Sequence, residues 1–162
     1  MKINEVHELI NYYRGMYKVL EQDWQKSAQD QGITSAEQHI LWILHFEKEA
    51  TMSRIAQLGL WEISTVMQVI KRLTKKGLVD VQKNKKDLRI SYVTLTDEGK
   101  KVREETQNYT YKITEYLHDF AGRNEENRKL IDQMKEFLLD FNKHFHGEEF
   151  SKWVKHTSKS SD

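Results

Sequence analysis

Apolar residues near the start of the chain, Ile3, Val6, Ile10, Tyr13, Tyr17, Leu20 and Trp24, recur at alternating steps of three and four. That spacing lines one side of a helix and predicts a first helix of about 25 residues. Gly32 is placed to end it. Thr34 or Ser35, with Glu37 or Gln38 three residues on, offers a capping box for a second helix whose buried side is Ile40, Leu41, Ile43 and Leu44. Met52, Ile55 and Ala56 then mark a short helix interrupted at Gly59. A longer one follows with Ile63, Val66, Val69, Ile70 and Leu73 on its back, and Gly77 suits the left-handed residue after its end. There the period drops to two. LVDVQ (78–82) and ISYVTL (90–95) read as paired strands joined by a charged hairpin. Thr96 caps a further long helix, on which Val102, Thr106, Tyr109, Ile113, Tyr116, Leu117 and Phe120 give a broken but sustained stripe. GRNEEN (122–127) turns the chain into a last helix bearing Leu130, Ile131, Met134, Phe137, Leu138, Phe141 and Phe145.

The order short helix, turn, longer helix, two-stranded hairpin is that of a winged helix-turn-helix. The fold class expected is therefore mainly α (α+β), with long helices on either side of the head. The expected organisation is a helix over 1–30, the winged unit over 34–96, further helices over 97–150 and a flexible tail over 151–162.

Composition narrows the chemistry. The 162 residues suit one compact domain with extensions. No run approaches the roughly 20 apolar residues of a membrane span, and MKINEVHELI lacks the features of a signal peptide, so a cytoplasmic protein without membrane partners is expected. Cysteine is absent, which excludes disulfides and thiolate ligands. The histidine pair His144 and His146, even with His118, is a poor metal set, because residues two apart on a helix point about 200° apart. No nucleophile–base set or phosphate-binding glycine loop is recognisable. Neither an enzyme nor a cofactor or metal site is expected.

Charge gives the motif a partner. The chain as a whole carries +1, but residues 71–89 hold eight basic and two acidic groups. This concentrates the positive potential at the end of the longer helix and in the hairpin. A major groove admits one helix. Ser64, Thr65 and Gln68 are placed to read base edges, and Lys71, Arg72 and Lys75 to meet phosphates. Lys83, Lys85, Lys86 and Arg89 lie in the hairpin, with Arg89 the candidate for an adjacent minor groove. Double-stranded DNA is the expected partner. The alternative is a winged-helix module whose main partner is a protein or a ligand rather than DNA. The flanking helices carry more apolar surface than the head can cover, so Ile3, Val6, Ile10, Tyr13, Tyr17, Phe137, Phe141 and Phe145 are expected to form a homodimer. Two equivalent heads would read a near-palindromic operator.

The runs TSAEQHILWILHF, MSRIAQLG, ISTVMQVIKRLTKKGLV and KKDLRISYVTLTDEG resemble the MarR family of transcription regulators along essentially the whole chain. Most specific is the pattern Asp-x-Arg followed by Leu-Thr-x-x-Gly, present here as Asp87, Arg89, Leu95, Thr96 and Gly99. Within that family HILWI and IST are similar to the Hpr-type protease production regulators. The resemblance implies repression of transcription by a homodimer, Arg89 in the minor groove, and Asp87 orienting the wing through salt bridges. It also implies a crevice for a small phenolic or lipophilic effector, with Tyr12, Tyr13, Trp24, Trp42 and Tyr109 as candidate lining.

Overall fold

The N-terminal spacing produces α1 (Ile3–Asp30), which buries only its last turns. Asp23, Ser27 and Ala28 are buried there, Leu20 and Trp24 are half-buried, and the apolar residues from Ile3 to Val19 are largely exposed. The protein is described by a computed structural model covering residues 2–85 and 87–159. Gly32, at φ +67°, reverses the chain. α2 (Ser35–Glu47) opens on the capping box, with Thr34 Oγ1 accepting the Glu37 N–H and Glu37 Oε2 accepting that of Thr34.

α2 is the central post. Ile40, Leu41, Ile43 and Leu44 are fully buried, each contributing roughly 1.5–3 kcal/mol by removing its side chain from water. α1 and the helices over residues 52–59, 63–75 and 97–107 all pack against it. Lys48 then adopts φ +65° and starts β1 (Glu49–Thr51), which pairs antiparallel with the strand over residues 91–95 through Ala50 opposite Val93. α3 (Met52–Gly59) is capped by Thr51, whose Oγ1 accepts the Arg54 N–H. α4 (Ile63–Lys75) buries Val66, Val69, Ile70 and Leu73. At its end Gly77 takes φ +71°, and the Leu78 N–H reaches back to the Leu73 carbonyl, satisfying a terminal acceptor. β2 (Val79–Lys83) and β3 (Ser91–Leu95) form the hairpin, in register Val79–Leu95, Val81–Val93 and Lys83–Ser91, and the sheet order is β1-β3-β2.

The winged helix-turn-helix between long helices is as the pattern predicts, while several details differ. β1 carries no periodic signal in three residues and went unread. The short helix ends at Gly59, as expected, but Gly59 is not the left-handed residue of the turn that follows. Leu60 holds the left-handed conformation at φ +55°, while a Cβ on Gly59 would lie 2.8 Å from the Trp61 ring, so that glycine serves close packing. Ile63, expected on the buried back of α4, is 47% exposed, because it sits in the first turn beyond the edge of the core.

The helix expected from Thr96 to Phe120 is two: α5 (Asp97–Gln107) and α6 (Lys112–Gly122). The break is held by one local and one tertiary hydrogen bond. Tyr111 Oη donates to the Thr106 carbonyl (2.8 Å), and buried Asp23 of α1 accepts the Ile113 N–H (3.0 Å) in the first turn of α6. These caps satisfy groups an interrupted helix leaves open.

The flexible tail expected from residue 151 is helical through Lys159. α7 (Glu125–Lys159) bends at Gly147, where φ is +82° and ψ 168°. Beyond the bend Ser151 and Thr157 are buried, Trp153 meets Phe46 edge-on, and Glu149 accepts hydrogen bonds from Arg54 and Gln57 of α3. These attachments explain why this polar stretch is not loose. No helix among the described residues is long and apolar enough to cross a membrane.

Candidate nucleic-acid interface

The polar front of α4 follows from its back. With four aliphatic residues fixed in the core, Ser64, Thr65, Gln68, Lys71, Arg72 and Lys75 are all exposed. Met67 is also exposed on this helix, an apolar group the charge-based reading missed. The first turn holds no charged group besides the Glu62 cap, while Arg72 and Lys75 occupy the last, where cations suit the negative helix end.

Arg72 is tethered. Its Nε lies 3.4 Å from Glu37 Oε1, and Lys76 Nζ lies 2.8 Å from Oε2 and 3.0 Å from the Gly32 carbonyl. Glu37 is fully buried. Burial acts to raise its pKa, but hydrogen bonds from Lys76 and the Thr34 backbone and the charges of Lys76 and Arg72 outweigh it. The carboxyl is held below its ordinary value. One buried carboxylate thus links the start of α2, the end of α4 and the α1–α2 turn. Sequence reading took Glu37 as a cap and found no partner for Lys76, since residues 39 apart in sequence give no local signal.

The hairpin tip is organised by its own backbone. Asn84 N–H donates to the Ile90 carbonyl (2.9 Å) and Ile90 N–H to that of Asp87 (3.0 Å). Asp87 grips Arg89 three times, accepting the backbone N–H at 3.0 Å and Nε and Nη2 at 3.1 Å each. Arg89 holds the Asp87 carboxyl below the usual carboxylate range. The Arg89 side chain is 91% exposed, so the pair fixes its base and leaves the rest accessible. Lys83 and Lys85 are exposed beside it, and Lys86 lies outside the described residues.

A second feature is a cavity of about 330 Å³ between α1, α2, the start of α6 and the returning arm of α7. Trp24 and Trp42 line it, as expected, with Leu20, His39, Phe46 and Trp153. Tyr12, Tyr13 and Tyr109 do not. Tyr12 and Tyr13 face outward on α1, and Tyr109 packs edge-on against Tyr111, which takes the lining position. Gln38 Oε1 and Trp153 Nε1, an acceptor and a donor on residues of the lining, are buried without a hydrogen-bond partner. Burial holds the His39 pKa below its ordinary value.

The apolar residues expected to associate stand largely in water in this structure. Ile3, Ile10, Tyr13 and Tyr17 are exposed on α1, with Val6 half-buried, and Phe137, Phe141 and Phe145 are exposed on α7. The phenylalanines form a ladder with ring centroids 6.4 and 4.6 Å apart.

Comparison with known proteins adds a lineage to this geometry. The sequence profile of the MarR family matches residues 33–91. The HTH-type transcriptional regulator Hpr of Shouchella clausii is 32% identical over 146 residues, 89% of this chain and 73% of that protein. The DNA-binding transcriptional repressor ScoC of Bacillus subtilis is 28% identical over 144 residues, covering 85% of this chain and 67% of its own. Alignments to other regulators named Hpr cover between 44% and 74% of their length. Among solved structures, a Cys-to-Ser mutant of MarR from E. coli complexed with operator DNA superposes with a TM-score of 0.69 at 16% identity, over 86% of this chain and 99% of that one. That likeness is one of fold.

Proposed function

This chain belongs to the MarR family, and we propose that it is a sequence-specific double-stranded DNA-binding transcription regulator, a repressor acting as a homodimer on a near-palindromic operator. The observation that carries the reading is the pairing of an exposed front on α4, uncharged at its start and basic at its end, with a basic hairpin whose arginine is anchored at its base. Ser64, Thr65 and Gln68 are short or amide side chains, suited to donor and acceptor groups on base edges in a major groove. Lys71, Arg72 and Lys75 sit further along the helix and pair with phosphates, which fixes register without reading sequence. Lys83, Lys85 and Lys86 add to that attraction from the wing. Arg89, oriented by Asp87, enters the neighbouring minor groove.

The unpaired apolar faces of α1 and α7 supply the second copy. Isologous contact of Ile3, Val6, Ile10, Tyr13 and Tyr17 with Phe137, Phe141 and Phe145 covers surface that one chain leaves in water. Two heads then meet half-sites about one helical turn, roughly 34 Å, apart. Repression follows if the occupied operator overlaps a promoter, in keeping with the named activity of the B. subtilis relative. The Hpr-type likeness is the working assignment within the family.

Selection of bound duplexes from a random library, followed by titration of the winner at several salt concentrations, tests this reading. The expected result is a near-palindrome whose affinity falls steeply with salt. Weak binding with little salt dependence and no preferred duplex would instead mark a winged-helix module for a protein partner.

The cavity favours one refinement, ligand response. Its tryptophan-rich wall and unpaired Gln38 and Trp153 groups suit a small phenolic or lipophilic effector. Phenol-type compounds that quench tryptophan emission saturably and weaken operator binding would support it. Unchanged operator affinity at saturation would remove it.

A further inference from the structure

A separate cavity of about 400 Å³ lies between α2 and α5, on residues that neither the DNA-reading surface nor the apolar cavity uses. Leu44, His45, Lys48, Leu95, Lys100 and Arg103 line it, with Glu104 and Gln107 completing the wall. Its unusual member is Arg103. The residue is only 7% exposed, and its Nε is buried without an acceptor. One face of the guanidinium lies on the Trp42 ring, 4.2 Å from the centroid, and Nη1 donates to the Gln107 amide oxygen. Neither contact neutralises the charge, and among the described residues no carboxylate lies within ion-pair distance of Arg103. Buried charges in proteins are ordinarily paired.

The rest of the wall deepens the imbalance. Lys48 has no acidic partner within ion-pair distance among the described residues, and Lys100 leans on exposed Asp97 at 2.8 Å. Glu104 is the one acid of the lining. His45 reports the same field: burial first, then the charges of Arg103 and Lys48, hold its pKa below the ordinary value.

We propose that the α2–α5 cavity is a binding site for a small oxyanion, a carboxylate or a phosphate, received by Arg103 with Lys48 and Lys100 at its rim. Leu44 and Leu95 give an apolar floor for a short carbon chain, while the guanidinium supplies a planar donor edge that matches carboxylate and phosphate geometry. The site is built from the C-terminal end of α2 and from α5, and includes Leu95 at the base of the hairpin. Its occupant would tie α2 and the end of the hairpin to α5.

The test uses the intact protein without DNA, so its outcome is independent of the regulator reading. Inorganic phosphate and butyrate are titrated separately at constant ionic strength made up with chloride, following the Arg103 Nε–H and Trp42 Nε1–H resonances by NMR. The expected result is a saturable shift of both signals with at least one probe, and the probe that saturates identifies the oxyanion type. Arg103→Met should weaken that binding about tenfold or more and Lys48→Gln several-fold, while Lys101→Gln, outside the cavity, leaves it unchanged. If Arg103→Met does not fold by circular dichroism, the double variant Lys48→Gln/Lys100→Gln decides by the same criterion. Shifts that do not saturate, or equal affinity in the cavity variants, would overturn the proposal.

Discussion

Glu37 has no exposed surface and is nonetheless charged, because Lys76, Arg72 and the Thr34 N–H converge on it. Its partners are partly exposed, which moderates the strength of the pairs. We expect Glu37→Gln to lower stability by roughly 1–3 kcal/mol at pH 7, since Lys76 would lose a charged acceptor in a buried setting. The folded-state pKa lies below the ordinary 4.5, so the unfolded chain takes up that proton first. The stabilisation is therefore complete above about pH 4.5 and is lost as pH falls through the lower folded value. Urea denaturation of both proteins across pH 3–7 checks this: the gap between them should narrow on the acid side only. A gap independent of pH would show that the carboxylate charge is not what matters. At this scale the sequence was partly legible. The spacing of Thr34 and Glu37 announced the capping box, whereas the ion pairs across the head depend on a chain path no local pattern encodes.

Elements are joined at points where one residue satisfies several constraints. The Leu-Thr-x-x-Gly run shows why its members are needed. Thr96 Oγ1 donates to the Gly77 carbonyl (2.7 Å) and accepts the Gly99 N–H (3.0 Å), while the Thr96 N–H reaches the Leu78 carbonyl at 3.2 Å. A Cβ on Gly99 would lie 2.0 Å from that same carbonyl oxygen, an overlap with backbone that no rotamer relieves. Gly99→Ala should consequently cost about 3 kcal/mol or more, read as a drop in the denaturant midpoint, whereas Gly122→Ala, with open space around its Cβ position, should not. In the proposed complex, Arg89→Ala should weaken binding and reduce the salt slope by about one. Gln68→Ala should relax preference at one base position by about 1–3 kcal/mol; equal loss on all duplexes would deny it a base-reading role. Most elements were visible in the sequence because their apolar periods were long. The α5–α6 break was not, since Tyr109, Ile113 and Tyr116 keep helical spacing across it while Asp23, far away in the chain, supplies the cap. Helix beyond residue 151 was not legible because Trp153 stands in a polar run and the other attachments, buried Ser151 and Thr157, are polar residues without an apolar period.

At the scale of the whole molecule, apolar residues stand exposed along α1 and, as an aromatic ladder, along α7, more than the scattered apolar groups normal on a monomer. In the proposed dimer, Phe141→Glu should yield monomers in sedimentation velocity at micromolar concentration while leaving helical content unchanged. A variant still dimeric would move the interface elsewhere. The operator affinity of that monomer should fall steeply, because the second head would no longer be held near the first.

The bend at Gly147 gives the chain a mechanical property. A straight α7 would carry residues 148–159 away from the body; the turn instead brings Glu149 to Arg54, itself held by Glu47 at 2.8 Å. The chain is thus a closed linkage, in which the last helical turns brace α3. In the proposed dimer, a strain applied along the phenylalanine ladder would reach α3 through that brace, next to the face proposed to meet DNA.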